Sequence, residues 1–413
     1  MQNSDLIPNL FRQESSKMIA VLTKAFGLTH VEWAEDIVGD TFLAASESWK
    51  EKGTPENPTA WLYSVAKNKT RDYLRRHQHF SQKIVPDLKA GMKEGEEIEL
   101  DWSRDNITDS QLRMMFAICH PAIPEEAQIG LALRVLCGFG IDEIAKAFLT
   151  NKSVINKRLY RAKEKLRKQS ITLDLPHPAE MEQRLANVLH ILYLVFNEGY
   201  YSHLDERQLR KDLCFEAMRL NHLLLQYPPT NQPFVNALLS LMCFHASRFE
   251  ARIGKDGSSI LYDQQDRDLW NDELIAQGNH FLIESAKGDV VTKYHLEASI
   301  AYWHSTKQEI DNKWEHILQL YNKLLQIEYS PVAALNRTYA LAMARGNEIG
   351  IKAAEQLGLE ESYAYHILLG KLYTPLASAQ ARNHYEQAKL KASSNVEESM
   401  ADTYIEELDT KMS

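Results

Sequence analysis

Apolar positions recur every three to four residues along nearly the whole chain, and the strict alternation that marks half-buried strands is missing. An all-α protein is predicted. In VEWAEDIVGDTFLA (31–44), Ala34, Ile37, Val38 and Phe42 mark one helical face, while Glu35, Asp36 and Asp40 lie off it. A polar loop, Trp49–Asn57, leads to a helix opened by Pro58 and Thr59, PTAWLYSVAKNKTRDYLRR. Its buried stripe is either Trp61, Val65 and Tyr73 or Leu62, Ala66 and Leu74; Asn68, Lys69, Arg71, Arg75 and Arg76 are left on the other face. In FGIDEIAKAFLTNKSVINKRLYRAKEKLRK (139–168), Ile144, Ala145 and Phe148 line a short helix. Leu149–Lys152 make a tight turn, and Ile155, Leu159 and Ala162 line a second helix.

Two breaks interrupt the helical pattern. Pro86–Asp109 is polar and acidic and contains Gly91 and Gly95, so it reads as a linker; LDLPHP (173–178) stops the preceding helix with two prolines. The expected division is a first helical unit over 1–80, an acidic linker over 81–109, a second unit over 110–172 and a third over 179–413. A chain of 413 residues has room for such an arrangement.

Charge changes the picture. The net charge of −9 argues against nucleic acid, but its distribution does not. Residues 1–170 carry 25 Lys and Arg against 23 Asp and Glu, whereas 171–413 carry 22 against 33. Lys67–Arg76 holds five bases and one acid, Lys152–Lys168 eight bases and one acid, and Asp87–Asp109 eight acids and three bases. Two cationic stretches therefore flank an anionic one, and cationic stretches of this length attract phosphate irrespective of sequence.

The cationic helices also carry the right neighbours. Trp61, Tyr63 and Tyr73 among cations form the composition wanted for single strands, where aromatics stack bases and cations track phosphates. The pair at 139–168 has helix-turn-helix spacing, and the small Ala145 permits a close crossing. Its second helix presents Asn156, Lys157, Tyr160 and Arg161 outward for base edges, with Lys152, Arg158 and Lys163 placed for phosphates. Cys119, Cys137, Cys214 and Cys243 are far apart and form no CxxC pair, so reduced thiols are expected and no disulfide framework or zinc site. His190, His203, His222, His245, His280 and His295 lack metal-ligand spacing; no phosphate loop, nucleophile elbow or paired-carboxylate signature occurs. Asn197, Glu198 and Tyr200, and Asp263, Asp266 and Arg267, read as buried polar groups tying helices together. No catalytic residue, metal or cofactor is expected.

AEDIVGDTF (34–42) resembles region 2.2 of the extracytoplasmic-function (ECF) group of sigma factors in the sigma-70 superfamily. AWLYSVAKNKTRDYLRR (60–76) is similar to that group's regions 2.3 to 2.4, and Phe139–Arg167 to its region 4. The resemblance covers about residues 8–170. It implies a sigma region 2 helical bundle, a sigma region 4 helix-turn-helix, and a promoter-specificity subunit that binds core RNA polymerase through its β and β′ subunits and is not an enzyme. It further implies that Asp36, Ile37, Asp40 and Phe42 dock on the polymerase. Trp61, Asn68, Arg71, Arg75 and Arg76 would hold the −10 element of promoter DNA as a single strand, and Lys152, Asn156, Lys157, Arg158, Tyr160 and Arg161 would face the −35 duplex. The acidic linker matches the segment that threads towards the polymerase cleft.

The acidic third unit opens RLANVLHILYLVFNEGYYS (184–202); with YDQQDRDLW (262–270) and SPVAALNR (330–337) it resembles the C-terminal extension of a subgroup of these factors, linked to tetratricopeptide-like (TPR-like) helical repeats. YHILLGKLY (365–373) followed by Ala381, Tyr385 and Ala388 approximates one such repeat. A built-in regulatory domain is expected, with intramolecular contact between it and the sigma regions. Two other readings compete: a one-component helix-turn-helix regulator with a helical sensor domain, and a repeat-scaffold adaptor for acidic proteins. The N-terminus carries no basic start followed by an apolar core, and no run of about 18 apolar residues exists, so no secretory signal, no membrane contact and a cytoplasmic location are expected.

Overall fold

The computed structural model describes residues 6–78, 100–148, 150–169, 171–201, 207–252, 254, 260, 262–308 and 310–412. Those residues contain helices and no strand. They group into two compact units, 1–231 and 232–413.

The first unit is built around α1 (Leu6–Phe26). Glu14–Ser16 and Met18–Thr23 are all buried, so this helix is enclosed on every side rather than along one stripe. α2 (Val31–Lys52) and α3 (Pro58–Gln78) pack against it, as does α4 (Arg104–Ile118). The helix expected over 31–44 continues to Lys52, because Trp49 is buried and extends the inner face; the polar loop shortens to Gly53–Asn57. In α3 the interior stripe is Leu62, Ala66 and Thr70, the second of the two registers with Thr70 in place of Leu74 as its fully buried end. Asn57 caps this helix, its side chain accepting from the Ala60 amide at 3.0 Å.

α4 starts within the segment expected to be linker. Ser103 accepts from the Asn106 amide and sets the helix start at Arg104, while Leu100 is buried and Trp102 stacks on Tyr63 at 4.6 Å. Residues 81–99 of the expected linker lie outside the described residues. α5 (Glu125–Leu131) runs into a wide turn at Ala132–Leu136, where the Cys137 amide reaches the Ala132 carbonyl five residues back. α6 (Ile141–Ala147) and α7 (Lys152–Lys168) follow, with Asn151 capping α7 by accepting from the Val154 amide. Ile144, Ala145, Ile155, Leu159 and Ala162 are buried as expected. Phe148 is half-buried, and Leu149 in the turn lies outside the described residues.

α8 (Pro178–Tyr201) and α9 (Arg207–Leu225) pair with each other inside this same unit. Leu185, Val188, Leu189 and Leu192 are fully enclosed. Arg184 donates to the Phe116 carbonyl at 2.7 Å, Asn187 to the Cys119 carbonyl and to Gln128 Oε1, and Arg219 to the Leu136 carbonyl. The opening helices of the third sequence unit thus supply hydrogen-bond donors to the helix ends of the second.

In the second unit α10 (Pro233–Ala246), α11 (Asp272–Ser285) and α12 (Lys293–Ser305) pack together. A Cβ at Gly278 would lie 2.7 Å from the Phe244 ring, so only glycine permits that approach. α13 (Lys313–Ile327), α14 (Pro331–Arg345), α15 (Asn347–Glu355), α16 (Tyr363–Tyr373), α17 (Ser378–Leu390) and α18 (Asn395–Met412) then each pack on their sequence neighbour. Ala381 and Tyr385 are buried with Tyr404 and Leu408 between α17 and α18. No helix among the described residues is long and apolar enough to cross a membrane.

Candidate nucleic-acid interface

α2 turns an acidic face outward. Asp36 and Asp40 are exposed, with Gly39 and the 59% exposed Leu43 beside them. Burial, then the neighbouring carboxylates of Glu35, Asp40 and Glu32, hold the Asp36 carboxyl above its ordinary range. Ile37 and Phe42 point the other way. Both are buried, Phe42 with its ring edge against Phe11 at 4.9 Å, so they shape the interior side of α2 and not its surface. Leu43 went unnoticed in the sequence, although an apolar side chain out of phase with the buried stripe is a visible signal.

On α3, Trp61 is half-buried against Trp49 at 5.3 Å, Asn68 is exposed, Arg71 is half-buried, and Arg75 is exposed with Asp72 3.9 Å away. The Arg76 side chain lies outside the described residues. Tyr63 and Tyr73 are engaged internally. The Tyr63 hydroxyl donates to Glu14 at 2.6 Å, and its pKa is raised by burial and by that carboxylate; Tyr73 packs on Trp33 at 5.3 Å. All three rings are half-buried, Trp61 on Trp49, Tyr63 on Trp102 and Tyr73 on Trp33.

On α7, Asn156, Lys157, Tyr160 and Arg161 are exposed, Tyr160 at 61%. Lys152 is exposed and sits 2.6 Å from Asp142. Arg158 differs: it pairs with Glu126 at 3.0 Å and lies over the Phe148 ring, tying α7 to α5 and to the end of α6.

The two helical sets meet. Glu35, with a side chain only 9% exposed, accepts from Arg134 at 3.1 Å and from Lys163. The wide turn at 132–136 presents Arg134, whose guanidinium also donates to the Phe139 carbonyl at 3.2 Å. At the rim Arg167 lies 3.3 Å from Glu32. A groove of about 1050 Å³ opens beside this cluster, lined by Asp36, Asp40 and Leu43, by Lys69 and Asp72, and by Asn156 and Tyr160. Neither Glu35 nor Arg134 carried a role in the sequence reading.

Asp266 and Arg267, expected to be buried, are exposed, Asp266 accepting from the Asp268 amide and Arg267 donating to the Lys307 carbonyl. His190 lies 2.7 Å from Glu125, and His295 accepts from the Thr292 amide at the start of α12. His203 and the Asp263 side chain lie outside the described residues. Among the described residues no cluster of three or more His, Cys, Asp or Glu stands ready for a metal. The four cysteines are buried and unbridged, and burial pushes the Cys119 and Cys243 thiols up to about 12.

Residues 10–80 match the family Sigma-70 region 2, which takes in α1, α2 and α3. Residues 184–286 match a family of unknown function, DUF6596. An uncharacterized protein of Rhizobium meliloti (strain 1021) is 32% identical over 365 residues, 87% of this chain and 86% of the relative. No solved structure matches. Sigma-70 region 2 is the part of these transcription initiation factors that binds core RNA polymerase and melts the promoter. That match, over the first three helices, supports a place for the chain in the sigma-70 family.

Proposed function

We propose that this chain is an ECF-type sigma factor with a fused regulatory C-terminal region. The observation that carries the reading is the pairing, within the matched region 2, of an outward acidic face on α2 with a basic, tryptophan-bearing α3. Asp36 and Asp40, with Leu43 beside them, dock on basic residues of the polymerase. Ile37 and Phe42 support that face from behind. Trp61, Asn68, Arg71, Arg75 and Arg76 capture the unpaired −10 strand. Opening duplex costs about 1.4 kcal/mol per base-pair step, and each stacked base returns roughly 1–3 kcal/mol, so capturing a few bases tips the balance. Binding free energy is thus available only once the strand has opened. The polymerase supplies the covalent chemistry.

α6 and α7 act as the helix-turn-helix of region 4. Exposure of Asn156, Lys157, Tyr160 and Arg161 along one side of α7 supports major-groove reading of the −35 element. Lys152 and Arg158 reach phosphate by exchanging Asp142 and Glu126 for it. The stacking of α13 to α18, each on its neighbour, supports a TPR-like surface for a peptide or a domain. The working place of such a protein is the cytoplasm.

Multi-round transcription with purified bacterial core polymerase and genomic fragments tests this. Discrete transcripts that require the chain are expected. The shortened comparison should end after Asn231, since a stop near 178 strips α8 and α9 from α4 and α5. No transcript, together with tight duplex binding without core polymerase, would transfer the assignment to a one-component regulator.

A further inference from the structure

We infer that the groove between the end of α11, the start of α12 and the last turns of α13 binds an unbranched aliphatic monocarboxylate, with Lys323 holding its head group. The inference stands on the second unit alone and does not depend on the sigma reading. The groove has a volume of about 590 Å³, inside the roughly 300–1,000 Å³ of pockets that take drug-sized ligands. Leu282, Ala286, Val290, Val291, Leu296 and Ile327 give it an aliphatic lining, and no Phe, Tyr or Trp among the described residues lines it. Val290, Val291 and Ile327 are 68%, 58% and 50% exposed. Three aliphatic side chains left in water around one groove carry a burial free energy that a covering chain recovers.

The walls are built before any ligand arrives. Gly288 lies so close to Pro233 of α10 that a Cβ would sit 2.7 Å from the proline ring, which sets the 286–291 loop against the unit. The His295 ring accepts from the Thr292 amide at 3.1 Å and donates to the Ser285 carbonyl at 3.2 Å, tying the start of α12 to the end of α11. Lys293 pairs with Glu328 at 2.9 Å and ties the same start to the end of α13. A groove held this way gives up little freedom on binding. The same bonds engage the polar part of the wall. The Ser285 and Ser299 hydroxyls donate to the Leu282 and His295 carbonyls, both at 2.7 Å, and His295 has both ring nitrogens in use. At the rim Lys287 is neutralised by Glu284 at 2.6 Å and Lys293 by Glu328. Lys323 differs: it lines the groove, is exposed, and forms no ion pair with a described residue. Asp289 is in the loop but does not line the groove. An aliphatic trough with one unneutralised ammonium matches a chain that carries a single negative head. A second negative charge would meet no partner there, and a cation would be repelled.

Titration calorimetry of the full-length chain with octanoate, 1-octanol and octylamine tests the assignment. Octanoate should bind at one site, about fivefold tighter than 1-octanol, with octylamine weakest. Added salt should weaken octanoate and leave 1-octanol unmoved. Lys323→Gln should bring octanoate down to the affinity of 1-octanol, and Lys323→Arg should keep it. Val291→Asp sets a charge in the apolar wall and should weaken both by about tenfold or more. Lys323 and Val291 are exposed, so the far-ultraviolet circular dichroism of each variant should match the parent. Octanoate and 1-octanol binding alike, or octanoate binding untouched by Lys323→Gln, overturns the carboxylate assignment. Binding by none of the three overturns the site. Self-association of the chain that Val291→Asp abolishes would give the groove to a second copy instead. These readouts involve no polymerase, so their failure leaves the sigma reading where it stands.

Discussion

Asn187→Ala tests whether α8 is part of the first unit in energy as well as in space. The Asn187 amide donates to the Cys119 carbonyl at the end of α4 and to Gln128 Oε1 at 3.0 Å. Gln128 is 3% exposed, and its own amide is committed to the Ile123 and His120 carbonyls at 2.7 and 3.1 Å. Alanine leaves two acceptors without their donor, each worth about 1–3 kcal/mol if it stays dry. Cys119 is itself only 1% exposed, so at least about 2 kcal/mol is expected from the two acceptors together. For a unit of this size that corresponds to roughly 4–8 °C in Tm. Asn187→Asp keeps the volume, removes the donors and sets a charge against two oxygens, and should fall below alanine. Scanning calorimetry of the full chain reads both, with the transition of residues 232–413 as internal reference. If α8 were merely the start of a separate domain, Asn187→Ala would leave the first unit's transition in place, and a loss under about 0.5 kcal/mol would refute the reasoning.

Two further outcomes can be checked. Burial, followed by the charges of Arg248 and Lys313, pushes His304 down to about 3, and burial moves His245 in the same direction. An unfolded histidine takes up its proton near pH 6.5, whereas folded His304 stays neutral to about 3. The stability they lend is therefore complete above pH 6.5 and falls with acidification towards pH 3, by about 1.4 kcal/mol per pH unit for each such group. Urea unfolding of the second unit at pH 7.5 and 5 should show a lower midpoint at pH 5, and equal midpoints would contradict the burial argument. On promoter DNA with core polymerase, Lys152→Ala should cut the slope of log affinity against log salt by about 0.9 with base preference intact. Asn156→Ala should relax preference at one −35 position, at a cost of about 1–3 kcal/mol, measured by competition with variant promoters.

Local periodicity was enough to place the helices and many of their inner faces. Ile155, Leu159 and Ala162, and Ala34, Ile37 and Val38, were readable because a helix buries one side whatever it packs against. The acidic and basic faces of α2, α3 and α7 followed from the same phase, and with them the outward positions of Asp36, Asp40, Asn156 and Arg161. Where two phases were equally apolar, as in α3, the tertiary structure chose: Leu62 and Ala66 are enclosed while Trp61 and Val65 remain half-buried. Ile37 and Phe42 differ: the apolar stripe already set them inside, and only the resemblance to a docking motif gave them a surface role. The ion-pair cluster around Glu35 was hidden for a different reason. Glu35 meets partners 99 and 128 residues away, and one of them is aimed by a five-residue turn that no short pattern announces. The place of α8 and α9 was hidden likewise, because a proline-rich break marks where a helix stops and not which neighbour the next one packs against. Helix formation is a property of a segment and can be read from it. Partnership between segments depends on the shape and charge of surfaces that exist only once the chain has folded.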